Sequence, residues 1–422
     1  MGRTDSEEQS VQVRLQAYRF ELRPTENQSR QMCRFAGSAR FVFNRALTLQ
    51  KEFFDLCGAH VTYADLCAVL VDWKQDKETA WLNDAPSQTL QQSMKNLDAA
   101  WARRFDSLKK LKQGRISRSQ LVGEPVFKKK GKHDSFRFPQ GFKLDQANNR
   151  IFLPKLGWVR YRNSQEVLGT VKNVMVSLAG GRWFVAIQTE RAVETPAHPS
   201  STAVGIDMGV VRFATISDGT FYEPLNSFSR RQAALCRAQQ AMSRKKKFSR
   251  NWKKAKARVA RIHNRIANTR RDYLHKASTA ISKNHAIVCI EDLQVGNMSR
   301  SAAGSIESPG ANVGGKSGLN RSILDQGWAE FRRQLEYKLR WNGGRLIAVP
   351  PTNTSRTCPE CGCVSKENRK TQASFCCVEC GYKANADLVG AINVRRAGLA
   401  RIACQVNDEA SRQQQEPALI AA

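Results

Sequence analysis

Two Cys-x-x-Cys pairs constrain the fold of this chain more tightly than any other feature. Cys358 and Cys361 form the first pair, Cys377 and Cys380 form the second, and 15 residues separate them. Four cysteines at this spacing are typical of a zinc ribbon, in which four thiolates close a tetrahedral site. The sequence therefore predicts one Zn2+ with a structural role, because four protein ligands leave no position open for catalysis.

Six further cysteines occur singly, and we expect them to be small buried residues. They are Cys33, Cys57, Cys67, Cys236, Cys289 and Cys404. Cys363 and Cys376 lie immediately beside the two pairs, and from the spacing alone either could replace one of the four ligands. The N-terminus lacks the apolar core of a secretory signal, so we expect a reducing cytoplasm in which disulfides are rare.

The net charge of the chain points to a polyanionic partner. Lys and Arg number 68 against 37 Asp and Glu, a formal net charge of +31, while 41% of the 422 residues are hydrophobic. That apolar share is enough for folded cores, and the length predicts two or more domains. A large basic globular protein most often binds nucleic acid. An anionic membrane surface is the alternative, but no apolar stretch approaches the ~20 residues of a spanning helix, so no membrane partner is expected.

The strongest basic segment runs from 244 to 271 and contains 13 Lys or Arg and no acid. Trp252, Val259 and Ile266 keep an apolar stripe through it, so one face of the predicted helix packs and the other meets phosphate. A merely solvated face is a weak alternative, because uncompensated like charges repel unless a polyanion neutralises them. Shorter basic runs at 103–112 and 128–132 indicate the same partner. The candidate contacts are Lys128, Lys129, Lys130, Arg244, Lys245, Lys246, Lys253, Lys254, Arg258, Arg261 and Arg265.

The first half of the chain predicts a sheet with helices inserted into it. An alternating apolar pattern over 11–22 predicts a strand whose phase slips midway, as if through a β-bulge. From Thr25, which has capping-box spacing to Gln28, helices dominate to about Leu111. Short alternating segments return within 136–189 and predict one antiparallel sheet or barrel. If the first strand joins that sheet, the helices form an insertion.

The second half follows a proline-containing linker at about 191–202 and has a different order of elements. Apolar strands at 204–207 and 210–216 and a third after Gly219 predict an antiparallel meander. The later elements are a long helical stretch, a strand at 285–290, a Gly/Ser-rich loop at about 299–318, a helix at about 320–341 and a strand at 345–349. Three antiparallel strands followed by alternating helix and strand is the order of an RNase H-like domain.

Three carboxylates fall where such a domain would bring them together. The first strand and the strand after the long helix are central neighbours in a sheet of this order, so Asp207 and Glu291 could face one another. Asp387 begins a helical stripe and suits the positive end of a helix, from which it could reach the other two. Three converging acids can hold two Mg2+ ions about 3.5 to 4 Å apart for phosphodiester cleavage. Taken singly, each acid could instead be a turn, cap or strand-end residue, and Asp292 competes with Glu291.

These segments together resemble the TnpB (OrfB) proteins of insertion sequences. The resemblance is carried by Gly205-Ile206-Asp207-Met208-Gly209, by Ile290-Glu291-Asp292-Leu293, by the two cysteine pairs and by the segment that follows Asn385. It also covers the N-terminal segments 18–25 and 39–44, so it spans nearly the whole chain. Many relatives have Asp-Arg-Asp where this chain has Asn385-Ala386-Asp387, so the last acid is kept while one acid and one arginine are absent.

The resemblance implies a multidomain α/β protein whose nuclease domain is RNase H-like, of RuvC type, with an inserted zinc ribbon. A wedge β-barrel with an inserted helical recognition lobe is expected to precede it. The implied boundaries are 1–23 and 133–195 for the wedge barrel, 24–132 for the recognition lobe, 203–350 and 385–422 for the nuclease domain, and 351–384 for the zinc ribbon.

The implied activity is RNA-guided, Mg2+-dependent cleavage of double-stranded DNA beside a short motif, by a protein that a transposable element encodes and that is related to compact type V CRISPR effectors. Asp207, Glu291 and Asp387 take the catalytic positions. The residues at motif-contacting positions are Tyr63, Ser87 and Gln91. The implied partners are a guide RNA and the target DNA, and a monomer in a prokaryotic cytoplasm, associated with the nucleoid when DNA is bound, is favoured.

Two other functions stay open from the sequence. A guide-binding repressor derived from this family would lose a catalytic acid, whereas all three acids are present here. A strand-transfer transposase shares the fold and the acids, and spacing does not exclude it. The Gly/Ser-rich loop occupies the place of a lid over the cleft, with a passive linker as its alternative.

Overall fold

The structure is a computed structural model that describes residues 11–59, 61–132 and 134–414. The chain divides into two compact units, residues 1–194 and residues 195–422. Each unit contains both helices and a sheet, so the prediction of a multidomain α/β protein is confirmed. The finer domain boundaries stay a prediction, and their outermost parts lie outside the described residues.

The N-terminal unit is built on one antiparallel sheet. Its strands are β1 (Val11–Arg23), β2 (Ser135–Phe138), β3 (Lys143–Asp145), β4 (Arg150–Leu153), β5 (Gly157–Tyr161), β6 (Thr170–Ala179) and β7 (Arg182–Glu194). They lie in the order β2-β6-β7-β1-β5-β4-β3. No pairing joins the two end strands among the described residues, so backbone hydrogen bonds do not close this sheet, and the wedge barrel stays a prediction.

Three helices separate β1 from β2 in the sequence. They are α1 (Glu26–Cys57), α2 (Tyr63–Gln75) and α3 (Ser87–Lys112). The predicted capping box begins α1: the Gln28 backbone N–H donates to Thr25 Oγ1 at 3.3 Å, and the Thr25 N–H donates to Gln28 Oε1 at 3.0 Å. One core joins these helices to the sheet and includes Phe20, Phe35 and Phe138, all nearly inaccessible.

The predicted bulge in β1 is wrong. β1 pairs with β7 across residues 11–21 without a register shift. Tyr18, Phe20 and Leu22 face the core, whereas the apolar residues at positions 11, 13 and 15 face outward and are exposed. The slip in the apolar pattern therefore marks a change in which face of one regular strand is apolar. A register shift lies instead in β6, between Val171 and Asn173.

The C-terminal unit carries a mixed five-stranded sheet and a small hairpin. Its strands are β8 (Ala203–Asp207), β9 (Ala214–Ile216), β10 (Phe221–Tyr222), β11 (Ile287–Glu291), β12 (Arg345–Val349), β13 (Ser374–Cys376) and β14 (Lys383–Asn385). Its helices are α4 (Gln232–Ser243), α5 (Arg250–Asn284), α6 (Val295–Met298), α7 (Val313–Gln326), α8 (Trp328–Trp341) and α9 (Ala386–Gln414).

The large sheet has the order β10-β9-β8-β11-β12. The first three strands are antiparallel, and β11 lies parallel to both β8 and β12. The predicted central pair is therefore present, because β8 and β11 are neighbours in the middle of the sheet. A core that includes Ile206, Ile290 and Phe331 packs beneath it.

The predicted helix at 320–341 is wrong as a single element. Gly327 has φ of 78°, in the left-handed region, and the helix breaks there into α7 and α8. α7 begins at Val313, inside the predicted Gly/Ser-rich loop. A periodic apolar pattern does not distinguish one helix from two that share a face, so the glycine was the signal for the break.

The expected burial of the single cysteines is wrong for four of the six. Cys33, Cys57, Cys236 and Cys404 are exposed, and Cys289 is buried. Those four cysteines lie on outward faces of helices. Their position relative to the apolar stripe of the helix decides whether they are buried, and the residue type alone does not.

Candidate nuclease site, zinc site and nucleic-acid surface

The four paired cysteines converge. One ligand atom from each of Cys358, Cys361, Cys377 and Cys380 lies within 4.8 Å of all the others. The sulfurs of Cys358 and Cys380 are 3.6 Å apart, and those of Cys361 and Cys377 are 3.5 Å apart. A Zn–S bond of about 2.3 Å in a tetrahedron separates sulfurs by about 3.8 Å. The cluster therefore fits one ion bound by four thiolates.

Cys363 and Cys376 lie outside this cluster of ligand atoms. The Cys363 carbonyl accepts a hydrogen bond from the Cys358 backbone N–H at 2.9 Å, and Cys376 pairs with Lys383 in the β13–β14 hairpin. Both residues thus shape the backbone around the cluster, and the geometry gives neither a place among the four ligands.

Asp207 and Glu291 end the two central parallel strands. Ile206 pairs with Ile290 in the register of β8 and β11, so the next residue on each strand is one of the two acids. Glu291 also lies opposite Val349 of β12 and is buried. The two carboxylates therefore occupy the same edge of the sheet because the strands are parallel and in register.

Helix α9 begins over this edge and brings Asp387 to it. The Asn385 side chain caps the helix by accepting from the backbone N–H of Asp387 at 3.0 Å. The helix lies very close to β8: a Cβ added to Gly205 would be 2.1 Å from a carbonyl of α9, and one added to Gly390 would be 3.0 Å from Asp207 Oδ2. These two glycines allow the approach that places the three acids together.

The three acids interact electrostatically. The pKa of Asp207 is raised from 3.8 to about 7, first by burial and then by the charges on Glu291 and Asp387, while Arg369 and the Met208 N–H act in the opposite direction. Burial also raises the pKa of Glu291. A carboxyl group in this position binds a proton strongly unless a cation replaces it.

The three carboxylates are nevertheless farther apart than a single-ion site requires. Among the described residues, the cysteines form the one group of three or more metal-ligating side chains within 4.8 Å of one another. Two Mg2+ ions about 3.5 to 4 Å apart, each about 2 Å from its oxygens, need a wider set of ligands than one ion does.

Thr354 holds Glu291 in place, a contact that the sequence did not indicate. Its hydroxyl donates to Glu291 Oε1 at 2.6 Å, and its carbonyl accepts from Asn393 Nδ2 at 2.7 Å. Asn393 lies on α9 and also donates to the Thr357 carbonyl at 2.7 Å. This network ties the strand acid, the loop after β12 and the helix that carries Asp387 into one rigid arrangement.

Arg369 is the second residue that sequence reasoning missed. It lies 3.5 Å from Asp387 Oδ1 and lowers the pKa of both Asp207 and Glu291. The fully buried Asn368 beside it donates to the Cys363 carbonyl at 3.1 Å and accepts from the Val378 N–H at 2.9 Å. Asn368 therefore links the backbone beside the cysteine cluster to the segment that carries Arg369, a link that sequence spacing does not reveal.

Asp292 makes a different contact. Its carboxylate forms an ion pair with Arg332 of α8 and is half exposed, whereas Glu291 is buried and bonded to Thr354. The geometry favours Glu291 over Asp292 as the partner of Asp207.

The predicted basic surface lies on a helical hairpin. α4 and α5 pack through Leu235, Ala238 and Val259. The eight predicted contacts between 244 and 265 are all exposed, and none forms an ion pair with an acid within the described residues. Arg270 differs, because it lies 3.4 Å from the buried Asp325 carboxylate and anchors α5.

Predicted contacts in the N-terminal unit are placed less uniformly. Lys128, Lys129 and Lys130 are all exposed, but the Lys128 ammonium also lies 3.9 Å from the centre of the Phe43 ring, and desolvation lowers its pKa. Lys128 is therefore partly held by the fold. Tyr63, Ser87 and Gln91 lie on α2 and α3: Ser87 and Gln91 are exposed, and Tyr63 is partly buried.

No helix in the described ranges is long and apolar enough to cross a membrane.

Three family models match the chain. One described as "Probable transposase" (OrfB_IS605) matches residues 186–302, one described as "Cas12f1-like, TNB domain" matches 328–394, and one described as "Helix-turn-helix domain" (HTH_OrfB_IS605) matches 14–55. The last description does not match the structure, because residues 14–55 form most of β1 and α1 instead of two helices joined by a turn.

Several relatives extend over most of the chain, and two of them are at least 30% identical to it. InsQ of Escherichia coli (strain K12) is 54% identical over 93% of this chain and 94% of its own length. A protein of Streptomyces pristinaespiralis is 32% identical over 92% of this chain and 90% of its own length. Both are named "Putative RNA-guided DNA endonuclease". The chain belongs to the TnpB (OrfB) family.

A chain in a solved Cas12f1-sgRNA-target DNA complex is 17% identical to this chain. The match covers 90% of this chain and 99% of that chain, with a TM-score of 0.33, so the two structures superpose only loosely.

Proposed function

We propose that this chain is an RNA-guided DNA endonuclease encoded by a transposable element, which cuts target DNA beside a short motif. The observation that carries the proposal is the meeting of Asp207, Glu291 and Asp387 at one edge of the sheet, where burial and then the other two charges raise the pKa of Asp207. The names of the full-length relatives support the guided activity. The strand order β10-β9-β8-β11-β12 supports an RNase H-like domain of RuvC type.

Asp207, Glu291 and Asp387 would hold two Mg2+ ions. Their carboxylates supply the hard oxygen ligands that Mg2+ prefers, and a raised pKa is expected where a cation normally offsets clustered negative charge. Bound at this edge, the ions would activate water and stabilise the leaving 3'-oxygen. Cys358, Cys361, Cys377 and Cys380 would hold one Zn2+, because four thiolates at these distances fit its tetrahedral coordination.

The chain's own residues prepare the site. Thr354 fixes one oxygen of Glu291 and leaves the other available, and Asn393 fixes Thr354. Arg369 offsets part of the negative charge at Asp387. Glu291 is buried and Asp207 is half-buried, and the lower dielectric around them strengthens each of these interactions.

A guide RNA and its DNA target are the proposed partners. The hairpin of α4 and α5 has an exposed basic face, formed by Arg244, Lys245, Lys246 and the basic residues of α5. Such a face suits the phosphate backbone of a nucleic acid and would bind it whatever its base sequence. Tyr63, Ser87 and Gln91 remain proposed contacts to the target-adjacent motif, in a helical recognition lobe beside the wedge domain. We also propose that the protein acts as a monomer in a prokaryotic cytoplasm, where it associates with the nucleoid when it binds DNA.

Strand transfer is the second candidate, since one matching family model is described as "Probable transposase". A guided repressor is disfavoured because the three acids are all present. The two enzymes differ in product: an endonuclease leaves a broken target, whereas a transposase joins a marked transposon end to it.

The test is to express the full chain with its flanking transposon-end DNA, sequence the copurifying RNA and reprogram that RNA against a plasmid. We expect Mg2+-dependent cleavage of the matched plasmid, loss of cleavage in Asp207→Ala with RNA binding retained, and retained cleavage in the control Asp292→Asn. Joining of a marked end, or cleavage that persists in Asp207→Ala, would overturn the proposal.

A further inference from the structure

A groove of about 730 Å3 lies along one side of α1 in the N-terminal unit. Arg34, Gly37, Phe41 and Arg45 line it at three- and four-residue steps, so they belong to one face of the helix. Trp81, from the segment between α2 and α3, lines it as well. The groove therefore combines a cationic helix face with an aromatic wall, and none of the residues used in the nuclease site takes part in it.

Trp81 is fixed but accessible. Its indole N–H donates to the Glu78 carbonyl at 3.1 Å, and the Phe41 ring meets it edge-on with centroids 5.1 Å apart. The side chain nevertheless remains 44% exposed. A large aromatic ring whose polar atom is already bonded, and which is held in place while exposed, is suited to stacking against another flat ring.

The charge in the groove is positive. Arg34 is exposed, Arg45 lies 4.8 Å from the centre of an indole ring of α2, and neither pairs with an acid within the described residues. Arg40 contributes little, because Asp134 holds it at 2.7 Å. Asp84 is the acid that lines the groove, so Arg34 and Arg45, which no described acid pairs, share the groove with one carboxylate. An anionic ligand matches this balance.

Gly37 gives an independent indication of a ligand. It lies inside α1, where glycine is unfavourable compared with almost any other residue. A Cβ added there would meet only Arg40 Nη2, at 3.8 Å, so the packing of this protein does not require a glycine. Because glycine has no side chain, the floor of the groove stays open, and a ligand can approach the helix backbone closely there.

We propose that this groove binds an unpaired nucleotide of a nucleic acid strand, with its base stacked on Trp81 and its phosphates on Arg34 and Arg45. Stacking on an aromatic ring beside a cationic track is how proteins hold single strands without reading their sequence. A base in a duplex has its faces covered and cannot stack in this way. The inference rests on the proposed function, in which guide RNA and opened target DNA both supply unpaired nucleotides of this chemistry.

Binding of short oligonucleotides by the full chain tests the proposal. Fluorescein-labelled oligouridine, oligothymidine and a duplex of equal length are titrated, and the dissociation constant is measured by fluorescence anisotropy. The variants are Trp81→Ala, which removes the stacking surface, and Gly37→Met, which adds a flexible side chain to the groove through a Cβ that would lie no closer than 3.8 Å to its neighbours. The matched control is Trp158→Ala, since Trp158 is 41% exposed in the same unit and lies outside the groove.

Trp81→Ala is expected to weaken binding of at least one single strand about tenfold, the usual loss for one stacked base. Gly37→Met is expected to weaken the same strand with an unchanged or higher melting temperature, because the helix gains propensity. Arg45→Gln should lower the salt dependence of binding by about one phosphate contact. Trp158→Ala should bind within about twofold of the wild type.

The strand that loses affinity identifies the source of the nucleotide, RNA or DNA. The proposal is overturned if Gly37→Met and Trp81→Ala both bind each single strand as the wild type does, or if the loss is confined to the duplex. Should Trp81→Ala fail to fold, Gly37→Met decides alone. Because this assay needs no guide, metal ion or cleavage, its failure is separate from a failure of guided cleavage.

Discussion

Replacing Asp207 with asparagine should stabilise the protein while it destroys the site. The pKa of Asp207 is raised from 3.8 to about 7, so the folded state binds a proton more tightly than the unfolded state. Holding the group ionised therefore costs folding free energy, by an amount that is absent below about pH 4, grows as the pH rises and is complete above about pH 7. A shift of about 3 pH units, at about 1.4 kcal/mol per unit, corresponds to at most about 4 kcal/mol.

The assay is calorimetry of the wild type and Asp207→Asn between pH 5 and pH 8, in Mg2+-free buffer without a chelator so that the cysteine site keeps its ion. Asp207→Asn should melt up to roughly 10 °C higher than the wild type at pH 8. The difference should shrink to less than half of that at pH 5, because most of the cost of ionising Asp207 develops between pH 5 and about pH 7. Adding Mg2+ should raise the melting temperature of the wild type alone, since the ions bind the folded state through Asp207.

The control for this experiment is Asp292→Asn, whose native carboxylate is paired with Arg332 instead of crowded by other acids. It should show no gain in stability at pH 8. A melting temperature of Asp207→Asn that equals the wild type at every pH, or that rises with Mg2+ as the wild type does, would refute the reasoning that these acids repel one another around an ion site.

Three further changes probe the same arrangement. Thr354→Val, which removes the hydrogen bond to Glu291, should raise the Mg2+ concentration needed for half-maximal cleavage about tenfold, whereas Thr354→Ser should restore it; equal Mg2+ dependence of Val and Ser variants would contradict the role. Cys377→Ser should abolish zinc in atomic emission and also reduce cleavage, because Asn368 links the backbone beside the cluster to the segment that carries Arg369; full cleavage by zinc-free protein would disprove that link. Neutralising Arg258 and Arg261 together should lower the slope of log affinity for nucleic acid against log salt by about two, and an unchanged slope would remove these residues from the interface.

The elements that could be predicted from the sequence are those with a strong local signal. The cysteine pairs needed only their spacing, and the capping box at Thr25 and Gln28 needed only two residue types. The central pair β8 and β11 followed from the order of strands and helices. The family resemblance is confirmed, since InsQ matches over 93% of the chain.

The features that could not be predicted depend on tertiary contacts. Thr354 and Arg369 reach the acids from loops whose paths no periodicity describes. From the sequence, the apolar residues at 11, 13 and 15 cannot be distinguished from residues that face the core; only the pairing of β1 with β7 shows that they face outward. The need for glycine at position 390 follows from its contact with Asp207, which is distant in sequence. Each of these signals arises when segments distant in sequence meet.

The most direct test of the account is the location of Mn2+ ions by anomalous diffraction in crystals of the RNA-bound protein. Two peaks about 3.5 to 4 Å apart are predicted, with oxygens of Asp207, Glu291 and Asp387 as their protein ligands. Peaks that are absent from this edge of the sheet, or that are held by Asp292 in place of Glu291, would contradict the assignment of these three acids to the nuclease site.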